Sequence, residues 1–461
     1  MALRRVLVAN RGEIAVRVIK ACFDERIESV LAVSEADKES LGAKLADKVV
    51  VIGPAAAAES YLDIDRVVAA AKVTGCDGLH PGYGFLSERA ELSAECAEAG
   101  ITFIGPSAEA MKRSGDKATA RALAKELDVP INEGSDVIED EEEARAIAGE
   151  VGYPVLLKAS AGGGGRGMRL VESEDELAGA YAAAHGEAQA AFGDGRLFVE
   201  RYVRHARHVE VQVLGDGEGG AIHLGHRDCT LQRRYQKLVE EAPAYGLSPE
   251  LDEQITSAAV RLISALSYSG AATCEFLVDP GRGSAGFLEI NARLQVEHPI
   301  SEVVTGVDVV REMLRIAGGE GLSVSQDDVT ISGHAIEVRI NAESPERDFA
   351  PTPGTLTEWA APVATDVRVD TACFPGWSVP PYYDSLLAKV IASGPDREAA
   401  LARMRQALTH LRVSGVETTA GFALDVLSHP DVVAGRVHTK WVEETFMPEW
   451  NARNAGEEEA A

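Results

Sequence analysis

Four consecutive glycines, Gly162–Gly165, stand between two stretches that read as strands, Val155-Leu156-Leu157-Lys158-Ala159-Ser160 and Arg169-Leu170-Val171. Chain without Cβ atoms can turn several N–H groups toward one anion, so such a run suits a phosphate. Lys158 and Arg166 add positive charge on either side in an otherwise acidic neighbourhood. A Walker loop would pass straight into a helix. Here a helical pattern starts only near Ser173, where Ser173 and Glu176 have capping-box spacing. The glycines are therefore expected at the tip of a β-hairpin, placed to act as a lid.

The first third of the chain alternates short apolar runs with helical patterns. Val6–Ala9, Val30–Val33, Val49–Ile52 and Ile101–Ile104 read as strands, Ile14/Val18/Cys22 and Leu62–Lys72 as helices. That alternation predicts a doubly wound parallel sheet. Its first strand-to-helix turn, Asn10-Arg11-Gly12-Glu13, lacks the glycine spacing of a dinucleotide fingerprint. Strand patterns return at His334–Asn341 and Leu386–Ile391, and the polar tail from Asn454 to Ala461 is expected to fray. Met111-Lys112-Arg113 lacks the second methionine of a biotin attachment site and reads as helix.

Composition narrows the partners. With 45 Lys+Arg against 73 Asp+Glu, the net charge of −28 disfavours nucleic acid and anionic membrane surfaces. The 461 residues leave room for about three domains. No apolar stretch approaches a membrane span, and Val6–Ala9 is too short for a signal-peptide core. The 6 cysteines show no close pairing, which fits a reducing compartment and a cytoplasmic location. The acidic run Asp136 to Glu150, relieved only by Arg145, reads as a solvated helix face.

Two strand patterns, Cys274–Asp279 and Gly286–Asn291, flank Pro280-Gly281-Arg282-Gly283-Ser284-Ala285. Folding there sets Glu275 opposite Glu289 to within a residue, with Asn291 and Arg293 on the same face. Paired carboxylates persist cheaply around a hard cation such as Mg²⁺. Arg293, Gln295 and Glu297 follow at once, a guanidinium suited to a small planar oxyanion and a carboxylate able to take a proton. In His208-Val209-Glu210-Val211-Gln212-Val213 one strand face is polar and the other apolar. The stretch Arg227–Lys237, read as a loop, carries four basic residues and one acid and is expected to form an anion site.

Taken together, Ala9–Ala15, His80–Glu88, the glycine run, Arg227–Lys237, Glu289–Pro299 and Tyr382–Leu386 resemble biotin carboxylase, the ATP-grasp component of biotin-dependent carboxylases. The likeness extends from Val6 to about Met447. It implies a doubly wound N-terminal domain (1–114), an ATP-grasp domain (115–330) with a mobile lid at about 131–203, a mixed β/α C-terminal domain (331–447) and an acidic tail (448–461). It implies ATP contacts from Lys117, Lys158, Gly162, Gly163, Gly164, Gly165, Gly167, Glu200, Arg201, Tyr202, Val203, His208 and Gln232. Mg²⁺, or Mn²⁺, would be organised by Glu275, Glu289 and Asn291. Bicarbonate would lie against Lys237, Arg293, Gln295 and the Val296 backbone, with Glu297 as base. Arg339 would stabilise the biotin enolate, with Tyr83 and Asp384 near the biotin. The implied activity is ATP-dependent carboxylation of carrier-bound biotin by bicarbonate through carboxyphosphate, the first half-reaction of an acyl-CoA carboxylase such as acetyl-CoA carboxylase. The implied partners are a biotin carboxyl carrier protein and a carboxyltransferase on separate chains, and a second copy in a homodimer. Tyr235 departs from the family's usual His, and His226 from its commoner Glu. Another ATP-grasp ligase and a catalytically silent nucleotide-binding subunit are the competing readings.

Overall fold

Residues 5–103 build a parallel sheet from β1 (Arg5–Val8), β2 (Glu28–Ser34), β3 (Lys48–Gly53), β4 (Gly78–His80) and β5 (Thr102–Phe103), in the order β3-β2-β1-β4-β5. The structure is a computed structural model and describes residues 2–135, 137, 138, 140–160 and 168–460. The glycines Gly162–Gly165, Arg166 and Gly167 therefore lie outside the described residues, as do Asp136 and Glu139 of the acidic run. Alternation along β1 sends Val6 and Val8 into one core and Leu7 into another, so both sheet faces are covered. The helix Ile64–Thr74 forms where the Leu62–Lys72 pattern placed it, capped by Asp63 and ended by Gly75 at φ 66°. The strand order reverses between β1 and β4, the position where open α/β sheets leave a crevice. There Asn10 donates from its amide to the Pro81 and Tyr83 carbonyls, both at 2.7 Å, tying the two strand ends together.

A small antiparallel sheet follows, β6 (Val155–Ala159) central between β7 (Met168–Val171) and β8 (Leu197–Arg201). β6 and β7 pair with Lys158 opposite Met168, so the strands on either side of the glycine run are hairpin partners. The capping box expected at Ser173 does not form. Glu176 instead accepts from the Glu172 N–H at 3.0 Å, one residue earlier, and the Ser173 hydroxyl caps nothing. The acidic helix Glu141–Val151 buries Ala144 and Ala148 and turns its acids outward at its N-terminus, where the dipole favours them.

The largest sheet among the described residues is antiparallel. It contains β9 (Arg207–Asp216), β10 (Ala221–Arg233), β11 (Gln236–Ala242), β12 (Ser269–Asp279), β13 (Ser284–Asn291), β14 (His334–Asn341), β15 (Val367–Thr371) and β16 (Leu386–Gly394). Their order is β13-β12-β9-β10-β11-β14-β16-β15. On one face Val209, Val211, Val213, Cys274 and Phe276 pack against the helix Pro249–Ala265. On the other Glu210, Gln212, Arg227, Thr273 and Glu275 are equally buried.

Two further sequence expectations are corrected. Arg227–Lys237 is no loop: it is the β10–β11 hairpin, turned by Arg234 and Tyr235, both in the left-handed region at φ 48° and 65°. Its charge reversal is largely consumed by ion pairs, with Arg227 on Glu210 and Arg233 and Arg234 on Asp348. The tail does not fray at Asn454, because a helix runs from Met447 through Ala460, held by buried Trp450, whose indole N–H donates to Asp425 at 3.1 Å. Met111-Lys112-Arg113 is helical, as read. No helix among the described residues is long and apolar enough to cross a membrane.

Candidate active site

The crevice of the parallel sheet, the small sheet and the polar face of the large sheet meet around one cleft of about 980 Å³. Tyr83, Lys117, Lys158, Glu200, Arg201, Tyr202, Val203, His208, Gln232, Lys237, Glu275, Glu289, Asn291, Arg293, Gln295, Val296, Arg339 and Asp384 all line it. Among the described site residues named from the sequence, Glu297 alone stands back from the wall, with no exposed surface.

Glu297 sits between two cations. Lys237 donates from Nζ to its Oε1 at 2.6 Å, and Arg339 donates from Nη2 to its Oε2 at 3.0 Å. Lys237 also reaches Glu210 at 2.7 Å and Glu275 at 3.3 Å, while Arg339 donates from Nε to Glu240 at 2.6 Å. Burial alone would raise the Glu297 carboxyl, yet Lys237, Arg339 and Arg227 hold it well below the usual carboxylate range. It is a carboxylate at neutral pH. Burial also works against Lys237, and the surrounding anions, Glu210, Glu297 and Glu275 among them, keep its ammonium charged.

Behind this layer Arg227 has no exposed surface and donates to Glu210 at 2.6 Å, Gln212 at 2.7 Å, Ser301 at 2.9 Å and Thr273 at 3.1 Å. The alternation in His208–Val213 foretold a polar strand face but not this burial. Of the groups that complete the network, Glu210 and Arg227 carried a signal in that alternation and in the basic stretch. Glu240 carried none, since Leu238-Val239-Glu240-Glu241 has no clean period.

Glu275 and Glu289 are direct partners across the β12–β13 ladder, as the hairpin arithmetic required. Asn291 donates to Glu275 Oε1 at 2.8 Å, His208 Nε2 stands 3.0 Å from Glu275 Oε2, and Lys117 Nζ stands 3.2 Å from Glu289 Oε2. Two carboxylates and an amide oxygen on adjacent strands, facing a cleft wide enough for phosphates, are the hard donor set that Mg²⁺ takes. These residues fit that ion.

Arg293 donates to Gln295 Oε1 at 2.9 Å and pairs with Glu88 at 3.1 Å. At the far end Lys158 and Arg121 both pair with Glu200, and Arg201 pairs with Asp279 at 2.8 Å. The site cations Lys117, Lys158, Lys237, Arg293 and Arg339 are thus each matched by a carboxylate. Uncompensated buried charge is too costly to persist, so anionic ligands must exchange with these acids instead of filling a vacant positive hole. Tyr235 is 57% exposed on the rim, with Lys440 Nζ 4.8 Å from its ring centroid. Asp384 accepts from the Leu386 N–H at 3.0 Å and shapes the turn before β16.

Residues 2–111 match the family described as biotin carboxylase, N-terminal domain, and residues 337–444 match biotin carboxylase C-terminal domain. Between them, residues 116–325 match the carbamoyl-phosphate synthase L chain, ATP binding domain. Biotin carboxylase 1 of Bacillus subtilis is 48% identical over 442 residues, covering 96% of this chain and 98% of its own. The chain belongs to the biotin carboxylase family. Biotin carboxylases are ATP-grasp enzymes, and this chain is accordingly an ATP-dependent ligase. The biotin carboxylase–β-γ-ATP complex from Campylobacter jejuni superposes with a TM-score of 0.90 at 43% identity, over 96% of this chain and 98% of that one. The biotin carboxylase domain dimer of 2-oxoglutarate carboxylase from Hydrogenobacter thermophilus, solved with MgADP, ADP and bicarbonate, does so with 0.88 at 45% identity over the same shares.

Proposed function

We propose that this biotin carboxylase transfers CO₂ from bicarbonate to the ureido nitrogen of biotin on a biotin carboxyl carrier protein, using MgATP and passing through carboxyphosphate. The observation that carries the reading is Glu297, a fully buried carboxylate held between Lys237 and Arg339 just behind the wall that Arg293, Gln295 and Val296 line. Bicarbonate between these groups draws Lys237 and Arg293 onto its own oxygens. Glu297, relieved of one cation, becomes basic enough to take the bicarbonate proton. The resulting oxyanion attacks the γ-phosphorus, the bond to the β-γ bridging oxygen breaks, and ADP leaves. Lys117, Lys158 and His208 balance charge on the phosphate oxygens. Glu275, Glu289 and Asn291 would hold Mg²⁺, which when bound would neutralise charge on the polyphosphate.

Carboxyphosphate then releases CO₂ and phosphate, the phosphate takes the ureido N–H proton, and the nitrogen lone pair attacks CO₂. Arg339 faces the developing ureido oxyanion, and Tyr83 and Asp384 lie at the biotin end of the cleft. Carriage of the product to a carboxyltransferase on another chain, assembly as a homodimer and a cytoplasmic location complete the proposal; six free, buried cysteines accord with a reducing compartment.

The test is steady-state ATP hydrolysis with and without bicarbonate and free biotin. Turnover requires bicarbonate and rises with biotin. Equal turnover without bicarbonate overturns the reading in favour of another ATP-grasp ligase, and absence of any turnover beside intact ATP binding favours a silent nucleotide-binding subunit.

A further inference from the structure

Lys389, in β16, is a wholly buried ammonium that the reaction above does not use. It donates to the Val296 carbonyl at 2.9 Å and pairs with Glu13 Oε1 at 3.1 Å, with Asp370 Oδ2 3.8 Å away. Glu13 in turn accepts from the Tyr83 hydroxyl. Val296 precedes the helix His298–Thr305, Glu13 opens the helix after β1, Asp370 lies in β15, and Tyr83 follows β4. One side chain thus touches three separate parts of the chain that converge on the cleft.

The Val296 carbonyl and the Glu297 N–H belong to one planar peptide unit, so fixing the first orients the second and the Cα that follows. From Tyr83 to the Val296–Glu297 peptide there are only three contacts, through Glu13 and Lys389. We propose that Lys389 is a positioning residue that registers the biotin end of the cleft, at Tyr83, against the bicarbonate end, at Val296 and Glu297. This rests on the functional reading above. Charge supports it: burial would strip the proton from Lys389, yet Glu13, Glu337 and Asp370 keep the ammonium charged, so the donor to Val296 persists. A neutral methionine, one atom shorter, would fill most of the space and lose the contacts to Val296, Glu13 and Asp370. A structural filler would tolerate that exchange, whereas a register between two subsites would not.

Lys389→Met and Lys389→Arg in the full chain test it. In Lys389→Met, kcat/KM for bicarbonate falls about 100-fold and stimulation by free biotin disappears, while directly measured ATP affinity stays within about twofold. Lys389→Arg, which retains a charged donor, recovers at least about tenfold of that loss. Glu13→Gln is the second variant should Lys389→Met not fold: it weakens the Lys389–Glu13–Tyr83 arm and leaves the direct Lys389–Val296 hydrogen bond in place, so biotin stimulation falls by a larger factor than kcat/KM for bicarbonate. Wild-type turnover indifferent to bicarbonate overturns the functional reading and this one with it. A bicarbonate-dependent wild type beside a Lys389→Met that keeps its biotin stimulation, or that loses ATP affinity in parallel, overturns this one alone. So does a Glu13→Gln that behaves as wild type.

Discussion

Arg227 and Glu210 meet at 2.6 Å with neither side chain exposed to solvent. The guanidinium has further partners in Gln212, Ser301 and Thr273, and Glu210 also receives Lys237, so each group's burial depends on the others. Arg227→Met removes donors from all four partners at once. It should cost about 3–5 kcal/mol, read from urea unfolding midpoints, since it leaves a buried carboxylate with one cation where it had two. A loss below about 1 kcal/mol would mean that water replaces the guanidinium at little cost.

Glu297→Gln keeps the size of the side chain and one oxygen acceptor, for Lys237 or Arg339 but not for both, and cannot take a proton. Turnover should drop by about 10² to 10⁴, the usual range for a lost general base, with ATP affinity unchanged. A parallel fall in ATP binding, measured by titration of the free enzyme, would make Glu297 a structural residue.

Glu241 gives the stability a definite pH dependence. Its carboxylate accepts from Arg397 at 2.6 and 2.8 Å and faces His334 at 2.9 Å. Burial pushes it up, but the hydrogen bonds from Arg397 and His334 bring it down to about 2 from the ordinary 4.5. With the folded value below the unfolded one, the contribution is fully present above pH about 4.5, shrinks as pH falls, and is gone below about pH 2. That separation corresponds to roughly 3 kcal/mol. The stability gap between wild type and Glu241→Gln, followed by urea unfolding, should therefore close through this acid window. A gap that stays constant with pH would show that packing alone carries it.

The thiols should be inert in the folded enzyme. All six cysteines are free and buried, and burial pushes Cys22, Cys96 and Cys373 up to about 12. Thiolate is the reactive form, so a colorimetric thiol reagent at pH 8 should find none reacting rapidly in the native protein and six after denaturation. Rapid labelling of one thiol in the native state would contradict the burial.

The Glu275–Glu289 pairing was legible because strand period and turn length alone fix a hairpin register. The doubly wound N-terminal sheet was legible for a similar reason, as alternating short patterns leave few topologies. The β10–β11 hairpin was not: polar and charged residues from Arg227 to Lys237 look like a surface loop unless their buried partners on β9 and β12 are known. Lys389 was also hidden. In Leu386–Ile391 it reads as one charge in an apolar strand, and its partners Glu13 and Val296 lie far away in sequence. The tail helix was misread because Trp450 and Arg453 gain their meaning from Asp425, which only folding brings near.

Backbone pairing between β11 and β14 carries the large sheet straight past residue 331. Any cut or fusion point placed there would strip a ladder from both pieces and leave two raw edges, each prone to pairing with foreign strands. The stretch from β9 to β16 is in that sense a single unit of inheritance: recombination could append modules before or after it, but could not exchange its halves between relatives without matching both sides of that seam.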